Sequence, residues 1–267
     1  MAITKYADKV GIKINPPRFR YSRSGYQMDK ETNSIYKGLE SIKFMNSDVS
    51  EKLYEMRDQQ FNSFIDLLSV FSGNSRQREI LIKLGFFEEF GKTKKLLQIA
   101  ELYDLYNGKK IIKKDKNTLP LEIIQKYATS ETEKQFRFEV ESMKSMLIEL
   151  CSLIKDEDLP ILTRLNAERE YLGYISLQDP SKPTQAVVLD IDTRYKTFKV
   201  KLYKLSTGET TIVKLKSTSF EKMPFPTGAI IDFRLEKKNK WRKENDQWVQ
   251  INEYEDWLSW YNVVAWR

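Results

Sequence analysis

Hydrophobic positions along the chain follow two different periods, and the change falls near residue 170. Before that point apolar residues recur every three or four positions, the spacing that places them on one face of a helix. After it they alternate with polar residues, which is typical of strands with one buried face. The pattern predicts an α+β, multidomain chain with a helical N-terminal region and a small all-β C-terminal barrel.

Short helices joined by tight turns are predicted for residues 1–100. Asn33–Ser34 can cap a helix that begins at about Ile35, and Ser47–Asp48 offers a second cap. A further helix is expected after Asn74–Ser75. It should end at Gly85, because glycine tolerates the left-handed conformation that closes many helices.

Residues 101–168 are predicted to form a helical connector interrupted by one basic loop. The loop is Lys109–Lys116, which we expect to be a solvated surface segment rather than a phosphate clamp. Thr132–Ile154 is expected to be one long amphipathic helix whose apolar stripe includes Phe136. Cys151 lies in that helix, and its apolar neighbours favour a buried, unreactive thiol.

Residues 171–267 form the alternating part of the chain. Turn signals rich in glycine, proline and asparagine separate the alternating runs, and the segment 217–223 is expected to be a connecting turn or helix. About five short strands within fewer than a hundred residues predict a small barrel. The clearest strand patterns fall at 198–203, 212–216, 231–236 and 249–251.

Charge and residue usage narrow the possible functions. The 267 residues include 45 Lys and Arg against 38 Asp and Glu, a net charge of +7 that is compatible with polyanion binding. Histidine is absent and cysteine occurs once, which excludes a Cys/His zinc site, a Ser-His-Asp triad and histidine acid–base catalysis. No apolar run reaches the roughly 18 residues of a membrane span, and no secretory signal begins the chain, so we expect a cytoplasmic protein.

Cations of the helical region are candidates for contact with phosphate. Arg18, Arg20 and Arg23 alternate with Phe19 and Tyr21, so they could share a face of an extended segment; the alternative is an irregular loop pinned by its aromatic residues. A helix amino end together with nearby cations favours an anion. Cations near predicted helix starts are Arg76, Arg78, Lys92, Lys94 and Lys95.

Outward positions of the predicted barrel combine lysines with aromatic rings. Such a surface can stack the bases of single-stranded nucleic acid while it neutralises the phosphates, although a merely solvated lysine face is the alternative. The candidates are Lys199, Lys201, Tyr203, Lys214, Lys216, Trp241 and Arg242.

Asp190 and Asp192 form an Asp-x-Asp pattern after an apolar run, which is also the pattern of many magnesium sites. Strand alternation places both carboxylates on the polar face of the same strand. We therefore expect them to be solvated or paired with lysines, and we expect no metal and no cofactor in this chain.

Five segments, in order, resemble the C-terminal half of the alpha subunit of bacterial DNA polymerase III. Ile35–Lys43 is similar to the hydrophobic-x-x-Gly-Leu-x-x-Ile-Lys element that opens that family's tandem helix-hairpin-helix, and it adds Lys43 to the candidate DNA contacts. Glu168–Tyr174 is similar to the Glu-x-Glu-x-Leu-Gly-hydrophobic segment that precedes the family's OB-fold. The other three matching segments are Tyr6–Pro17, Phe61–Leu68 and Asn74–Gly91.

The resemblance implies a role for each part of the chain. Residues 1–100 would be the fingers end and the helix-hairpin-helix region, which grips duplex backbone. Residues 171–267 would be an OB-fold-like barrel, which holds single-stranded template. The family's catalytic aspartates lie upstream of every matching segment, so we expect binding without catalysis. Partners would be primer–template DNA and other replication proteins. The start within a longer family pattern is compatible with an engineered fragment, a truncated gene or a split polymerase.

Two positions depart from the family pattern. Phe44–Asn46 stands where the family places Gly-x-Gly, and we expect Asn46 to supply the left-handed residue that the turn requires. Gln135–Phe138 is a poor match to the family's clamp-binding motif, and we expect no clamp binding there. Two other functions remain open: a protein-interaction module that docks on a polymerase, clamp or clamp loader, and a stand-alone single-strand binder with a helical extension.

Overall fold

The computed structural model describes residues 10–244 and 247–266, with the side chains of Glu244 and Trp248 left aside. The first four residues of the Tyr6–Pro17 segment and the Asn245–Asp246 turn signal lie outside the described residues. The described chain divides into two compact units: unit 1 comprises residues 10–161 and 170–172, and unit 2 comprises residues 162–169 and 173–266. The α+β class, helical first and stranded second, is confirmed.

Unit 1 begins with a small sheet. Its strands are β1 (Lys13–Asn15), β2 (Gln27–Asp29) and β3 (Ser34–Tyr36), in the order β1-β3-β2. The helix predicted from Ile35 is therefore wrong. Ile35 pairs with a residue of β1 on one side and a residue of β2 on the other, so its segment satisfies its backbone groups across strands. Only a single 3₁₀ turn, Leu39–Ser41, follows.

Four helices follow in the N-terminal helical region: α1 (Ser47–Glu55), α2 (Phe64–Val70), α3 (Ser75–Lys83) and α4 (Thr93–Tyr106). The start of α3 is as predicted, because the Asn74 side chain accepts from the backbone N–H of Gln77 at 2.9 Å. Gly85 ends this stretch with φ +70°. Side chains that are almost wholly inaccessible form the core: Leu39, Leu53, Leu67, Ile80, Leu81, Phe87 and Leu96.

A second small sheet and two helices complete unit 1. The strands are β4 (Ile111–Lys113), β5 (Ser130–Glu131) and β6 (Gln135–Arg137), and the helices are α5 (Leu121–Tyr127) and α6 (Val140–Leu153). The long helix predicted from Thr132 is thus wrong in its first third. Phe136 is buried, but it lies in strand β6 and not in a helix. Its partner across the sheet is Ile112 of β4, a strand that forms within the predicted basic loop. No helix among the described residues is long and apolar enough to cross a membrane.

Unit 2 is built on five strands that close into a barrel. After α7 (Ile161–Ala167) and a π-helical turn come β7 (Gln185–Asp192), β8 (Thr197–Lys204), β9 (Thr210–Lys216), the short helix α8 (Ser217–Lys222), β10 (Ile230–Glu244) and β11 (Gln247–Ala265). The strand order is β10-β11-β9-β8-β7, with β10 returning to β7. The β9–β11 pair is parallel and the others are antiparallel. The inward side chains include Val188, Val200, Leu202, Val213, Leu215, Ile231 and Leu258.

The last two strands are longer than the short strands predicted. β10 pairs with β7 only through Ile230–Asp232, and β11 meets β9 only where Trp257 pairs with Lys214. Residues 237–244 and 247–256 therefore pair only with each other, and we call this part of the hairpin the ribbon. Eight residues of a strand, at about 3.3 Å each, give the ribbon a length of about 26 Å.

Candidate nucleic-acid interface

The first hairpin lies between the 3₁₀ turn and α1, at residues 43–46. Phe44, the first position where the resembled family has glycine, adopts φ +71°. The prediction that Asn46 takes the left-handed conformation is wrong, since its φ is −121° and it caps α1 instead. Its side chain accepts from the backbone N–H of Val49 at 3.1 Å. Asparagine serves as the cap because its short side chain reaches the free N–H groups of the first turn.

Phe44 and Arg76 meet at this hairpin. The Arg76 guanidinium carbon lies 3.8 Å from the centroid of the Phe44 ring, and 52% of the Phe44 residue is exposed. Arg76 and Lys43 are both exposed. The structure thus places the predicted cation Arg76 against an aromatic residue that sequence reasoning missed, and the predicted cation Lys43 comes directly before that residue in the chain. The signal that could have found it is an aromatic residue in a position that favours glycine.

The three N-terminal arginines do not form a shared free face. Arg18 donates to the carbonyl oxygen of Gly85 at 2.7 Å and pairs with Glu88 at 3.0 Å. Arg20 pairs with Glu89 at 2.7 Å, and the Arg23 guanidinium lies 5.4 Å from the centre of the Tyr54 ring. The alternative, an irregular loop held by its aromatic residues, describes this segment, and its central anchor is Phe19, which is buried among other phenylalanine rings.

Arg78 is not placed to bind DNA. Only 8% of the residue is exposed, and its guanidinium pairs with Asp104 of α4. The helix begins at Ser75 as predicted, and within it the Arg78 side chain faces α4 rather than solvent. The contrast with Arg76 shows that two cations in one helical turn can have opposite environments, because positions i and i+2 lie on different faces.

The amino end of α4 is already occupied by carboxylates. The backbone N–H of Lys92 donates to Asp156 at 2.8 Å, and that of Thr93 donates to Asp158 at 3.2 Å. The Lys94 ammonium pairs with Glu157 at 2.8 Å. Lys155 and Lys94 together hold the pKa of the Glu157 carboxyl well below its usual range, at about 2. The phosphate site predicted around Lys92, Lys94 and Lys95 is therefore filled from within unit 1.

On the barrel, cross-strand pairing arranges polar side chains in a row. Lys199 of β8 is paired with Asp192 of β7 on one side and with Lys214 of β9 on the other, and Lys214 is paired with Trp257 of β11. Lys199 is exposed and the other three are half-buried. We call these four residues the barrel row. The exposed Lys216 and the half-buried Lys201 occupy the same two central strands.

Trp257 is the member of the barrel row that sequence reasoning missed. Two ammonium groups lie near its ring, with Lys214 Nζ at 5.7 Å and Lys238 Nζ at 5.2 Å from the centroid. Its indole N–H donates to Glu255 at 2.9 Å, which fixes the ring plane. The aromatic C-terminal stretch was visible in the sequence, but the register that selects Trp257 comes from the parallel pairing of β11 with β9.

Tyr203 does not lie on an accessible face. It is 5% exposed, and its hydroxyl donates to the carbonyl oxygen of Leu177 at 3.2 Å. Burial raises the pKa of Tyr203 to about 12. The predicted alternation places Tyr203 on the outer face of β8, but the segment before β7 that includes Leu177 covers this end of the face. The prediction that Tyr203 stacks a base is therefore wrong, because its ring is not accessible.

Trp241 and Arg242 lie on the ribbon and are exposed, with 60% of Trp241 accessible. The ribbon's basic appearance in the sequence is offset by acidic partners. Lys240 pairs with Glu253 at 2.7 Å across the two strands, and Lys238 pairs with Glu236 at 3.1 Å. The ribbon surface is therefore characterised by exposed aromatic rings and not by an excess of positive charge.

In the Asp-x-Asp pattern, Asp192 is engaged in charge pairing. Arg194 contacts both carboxylate oxygens of Asp192, with Nε at 2.9 Å and Nη2 at 2.8 Å, and this pairing lowers the pKa of Asp192 to about 2. Asp190 is paired in register with Lys201. Within residues 10–244 and 247–266, no three His, Cys, Asp or Glu side chains are grouped so that they could hold a metal ion.

Residues 11–97 match the family model described as the helix-hairpin-helix motif. The match covers about a third of the chain, from β1 to the first turn of α4. It supports a DNA-binding helix-hairpin-helix region and suggests nucleic-acid binding for this part of unit 1. Lys43, Phe44 and Arg76 all lie within the matched residues.

Proposed function

We propose that this chain binds DNA without sequence preference, as the non-catalytic, C-terminal part of a polymerase III alpha-type replicative polymerase. Unit 1 would contact duplex backbone and the barrel would contact single-stranded template. The observation that carries the proposal is the helix-hairpin-helix match at residues 11–97, combined with the exposed Lys43 and Arg76 at the first hairpin. Cations at a hairpin tip can neutralise phosphates of any sequence.

The strand order supports an OB-type barrel. Numbered from β7, the five strands run 1-2-3-5-4 and return to the first, the third and fifth are parallel, and a short helix joins the third to the fourth. A five-stranded Greek-key barrel of this kind binds oligonucleotides on the face of its second and third strands. Those strands are β8 and β9, which carry Lys199, Lys201 and Lys214.

The barrel row provides both interactions that single-stranded nucleic acid requires. Lys199 and Lys214 supply positive charge, and Trp257 supplies a ring on which a base can stack. Each base–aromatic stack contributes roughly 1–3 kcal/mol and tolerates any base, because every base has a π face. Lys214 also pairs with Glu255 at 2.6 Å, so Lys199 is the stronger candidate for phosphate contact.

A second function, docking on a protein partner, is favoured by the ribbon. Trp241 and Tyr254 are 60% and 57% exposed, while neighbouring lysines are paired with acidic residues. An isolated two-stranded hairpin is marginally stable in water, so a partner surface would stabilise it. In this alternative the ribbon docks on another replication protein, and DNA affinity is incidental.

Fluorescence anisotropy with single-stranded, duplex and primer–template oligonucleotides tests the proposal at about 50 and 200 mM salt. If about three phosphates are neutralised, affinity should fall roughly 40-fold over that range. Binding should be strongest on primer–template DNA and independent of sequence. No binding to any oligonucleotide at low salt, together with a stably co-purifying protein, would favour docking. Tight, salt-insensitive binding to one sequence would overturn the proposal.

A further inference from the structure

Phe44 combines a strained backbone with an exposed ring. Among the described residues, three that are not glycine have positive φ: Arg20, Asn33 and Phe44. Asparagine tolerates this conformation, and the Arg20 side chain is held by Glu89 and by backbone carbonyls. Phe44, in contrast, is 52% exposed. A bulky residue with positive φ is rare, and such strain is concentrated at functional sites.

The turn does not depend on the Phe44 ring for its shape. The carbonyl oxygen of Phe44 accepts from the Gln77 side chain at 3.0 Å, and Gln77 is itself fixed in the capping box with Asn74. The backbone N–H of Met45 donates to Ile42 at 3.2 Å. These contacts use the backbone of the hairpin, so glycine or asparagine at position 44 would retain them with less strain.

The surroundings of the ring point to nucleic acid rather than to an apolar protein surface. The Arg76 guanidinium lies 3.8 Å from the centroid of the Phe44 ring, and the Tyr171 ring approaches it edge-on at 6.4 Å. Arg76 is exposed, and so is Lys43, the residue before Phe44 in the chain. A duplex presents the matching arrangement, because the sugar and base edges of the minor groove lie between two rows of phosphates. Apolar side chains of minor-groove binders contact base steps in this way.

We propose that Phe44 is a DNA-contacting wedge, whose ring meets the minor groove while Arg76 and Lys43 contact the flanking phosphates. This inference rests on the proposed DNA binding and assigns to it a residue outside the cationic set. The affinity of the hairpin for a duplex would then depend on the width of the minor groove as well as on the phosphate charge.

The test is duplex binding by Phe44→Gly and Phe44→Asn in the full chain, measured by anisotropy with a thermal unfolding curve for each variant. Both residues accept positive φ, so the melting temperature should hold or rise. Duplex affinity should fall about 10-fold with an unchanged salt slope, because no phosphate contact is lost. Arg76→Gln should weaken binding and reduce the salt slope by about one.

Leu105→Ala on α4 is the matched control, since Leu105 is 53% exposed and lies outside the hairpin. It should leave affinity unchanged. Equal or tighter binding by Phe44→Gly would overturn the wedge, because it would mean that the ring is neutral or blocks the backbone. If the glycine variant is unfolded, Phe44→Trp decides: retained affinity supports the wedge and lost affinity overturns it. A wild-type chain that binds no DNA would instead overturn the proposed function.

Discussion

The Asp158 carboxylate accepts two hydrogen bonds from Thr93, one from the backbone N–H at 3.2 Å and one from the side-chain hydroxyl at 3.0 Å. The amino end of α4 is thereby capped by a residue 65 positions further along the chain. Helix amino ends bind anions because their first N–H groups lack partners within the helix. Here a carboxylate is the anion, which shifts the expected duplex contacts in unit 1 toward the first hairpin.

Replacing this cap should destabilise unit 1. Asp158→Ala removes the acceptor for two donors of Thr93, and loss of a helix cap typically costs about 1 kcal/mol. Chemical denaturation followed by circular dichroism should show a lower unfolding midpoint with an unchanged slope. Asp115→Ala, at an exposed turn within the same unit, is the control and should have little effect. Equal stability of the two variants would show that the Asp158 contact contributes nothing.

Cys151 should be unreactive in the native chain. Burial raises the pKa of its thiol to about 11, so the thiolate is scarce at pH 8. A disulfide exchange reagent should label no cysteine in the folded protein and one per chain in denaturant. Because the folded pKa is higher than that of a free thiol, the associated stability is complete below about pH 9 and is lost as pH rises toward 11. Rapid native labelling at pH 8 would contradict this.

Local signals in the sequence were sufficient for elements that satisfy their own backbone. The α3 helix was predicted from Asn74, whose cap contacts lie within three residues. The two wrong helices, at Ile35 and at Phe136, have apolar spacing compatible with a helix, but each segment lies in a sheet and has one partner strand more than twenty residues earlier in the chain. Hydrophobic periodicity cannot distinguish such a strand from a helix, because it carries no information about which strand lies beside a segment.

The residues of the candidate site show the same difference between local and long-range signals. Lys199 and Lys214 were predicted from alternation, and the pairing of β8 with β9 places them opposite each other. Tyr203 failed because a distant segment covers it, and Trp257 was missed because its neighbour is set by strand register. At the first hairpin the positive φ fell on Phe44 rather than on Asn46, although asparagine tolerates that conformation better.

Removing the Tyr203 hydroxyl should affect stability and leave DNA binding unchanged. Tyr203→Phe deletes the hydrogen bond to Leu177 while it retains the ring, at a cost of about 1 kcal/mol. Single-strand affinity measured by anisotropy should match that of the wild type, because the buried ring has no accessible face. Weaker single-strand binding at equal stability would restore Tyr203 as a contact residue and would require the covering segment to move.

Trp257→Ala should weaken single-strand binding most among single changes in the barrel row. The ammonium groups of Lys214 and Lys238 lie 5.7 Å and 5.2 Å from the ring centroid, so a base stacked on the ring would bring its phosphates close to them. Loss of one stack predicts a decrease of about 10-fold or more in affinity for a single-stranded oligonucleotide, with little change on duplex DNA. Lys199→Gln should give a smaller loss of affinity and a lower salt slope.

Trp260→Ala is the matched control, because Trp260 is an exposed tryptophan of the same strand that lies beside Arg234 instead. Equal losses for the two tryptophan variants would show that the barrel row does not select the binding face. Because Trp257 is half-buried, thermal unfolding of each variant must accompany the titrations, and only affinities measured well below the melting temperature are compared.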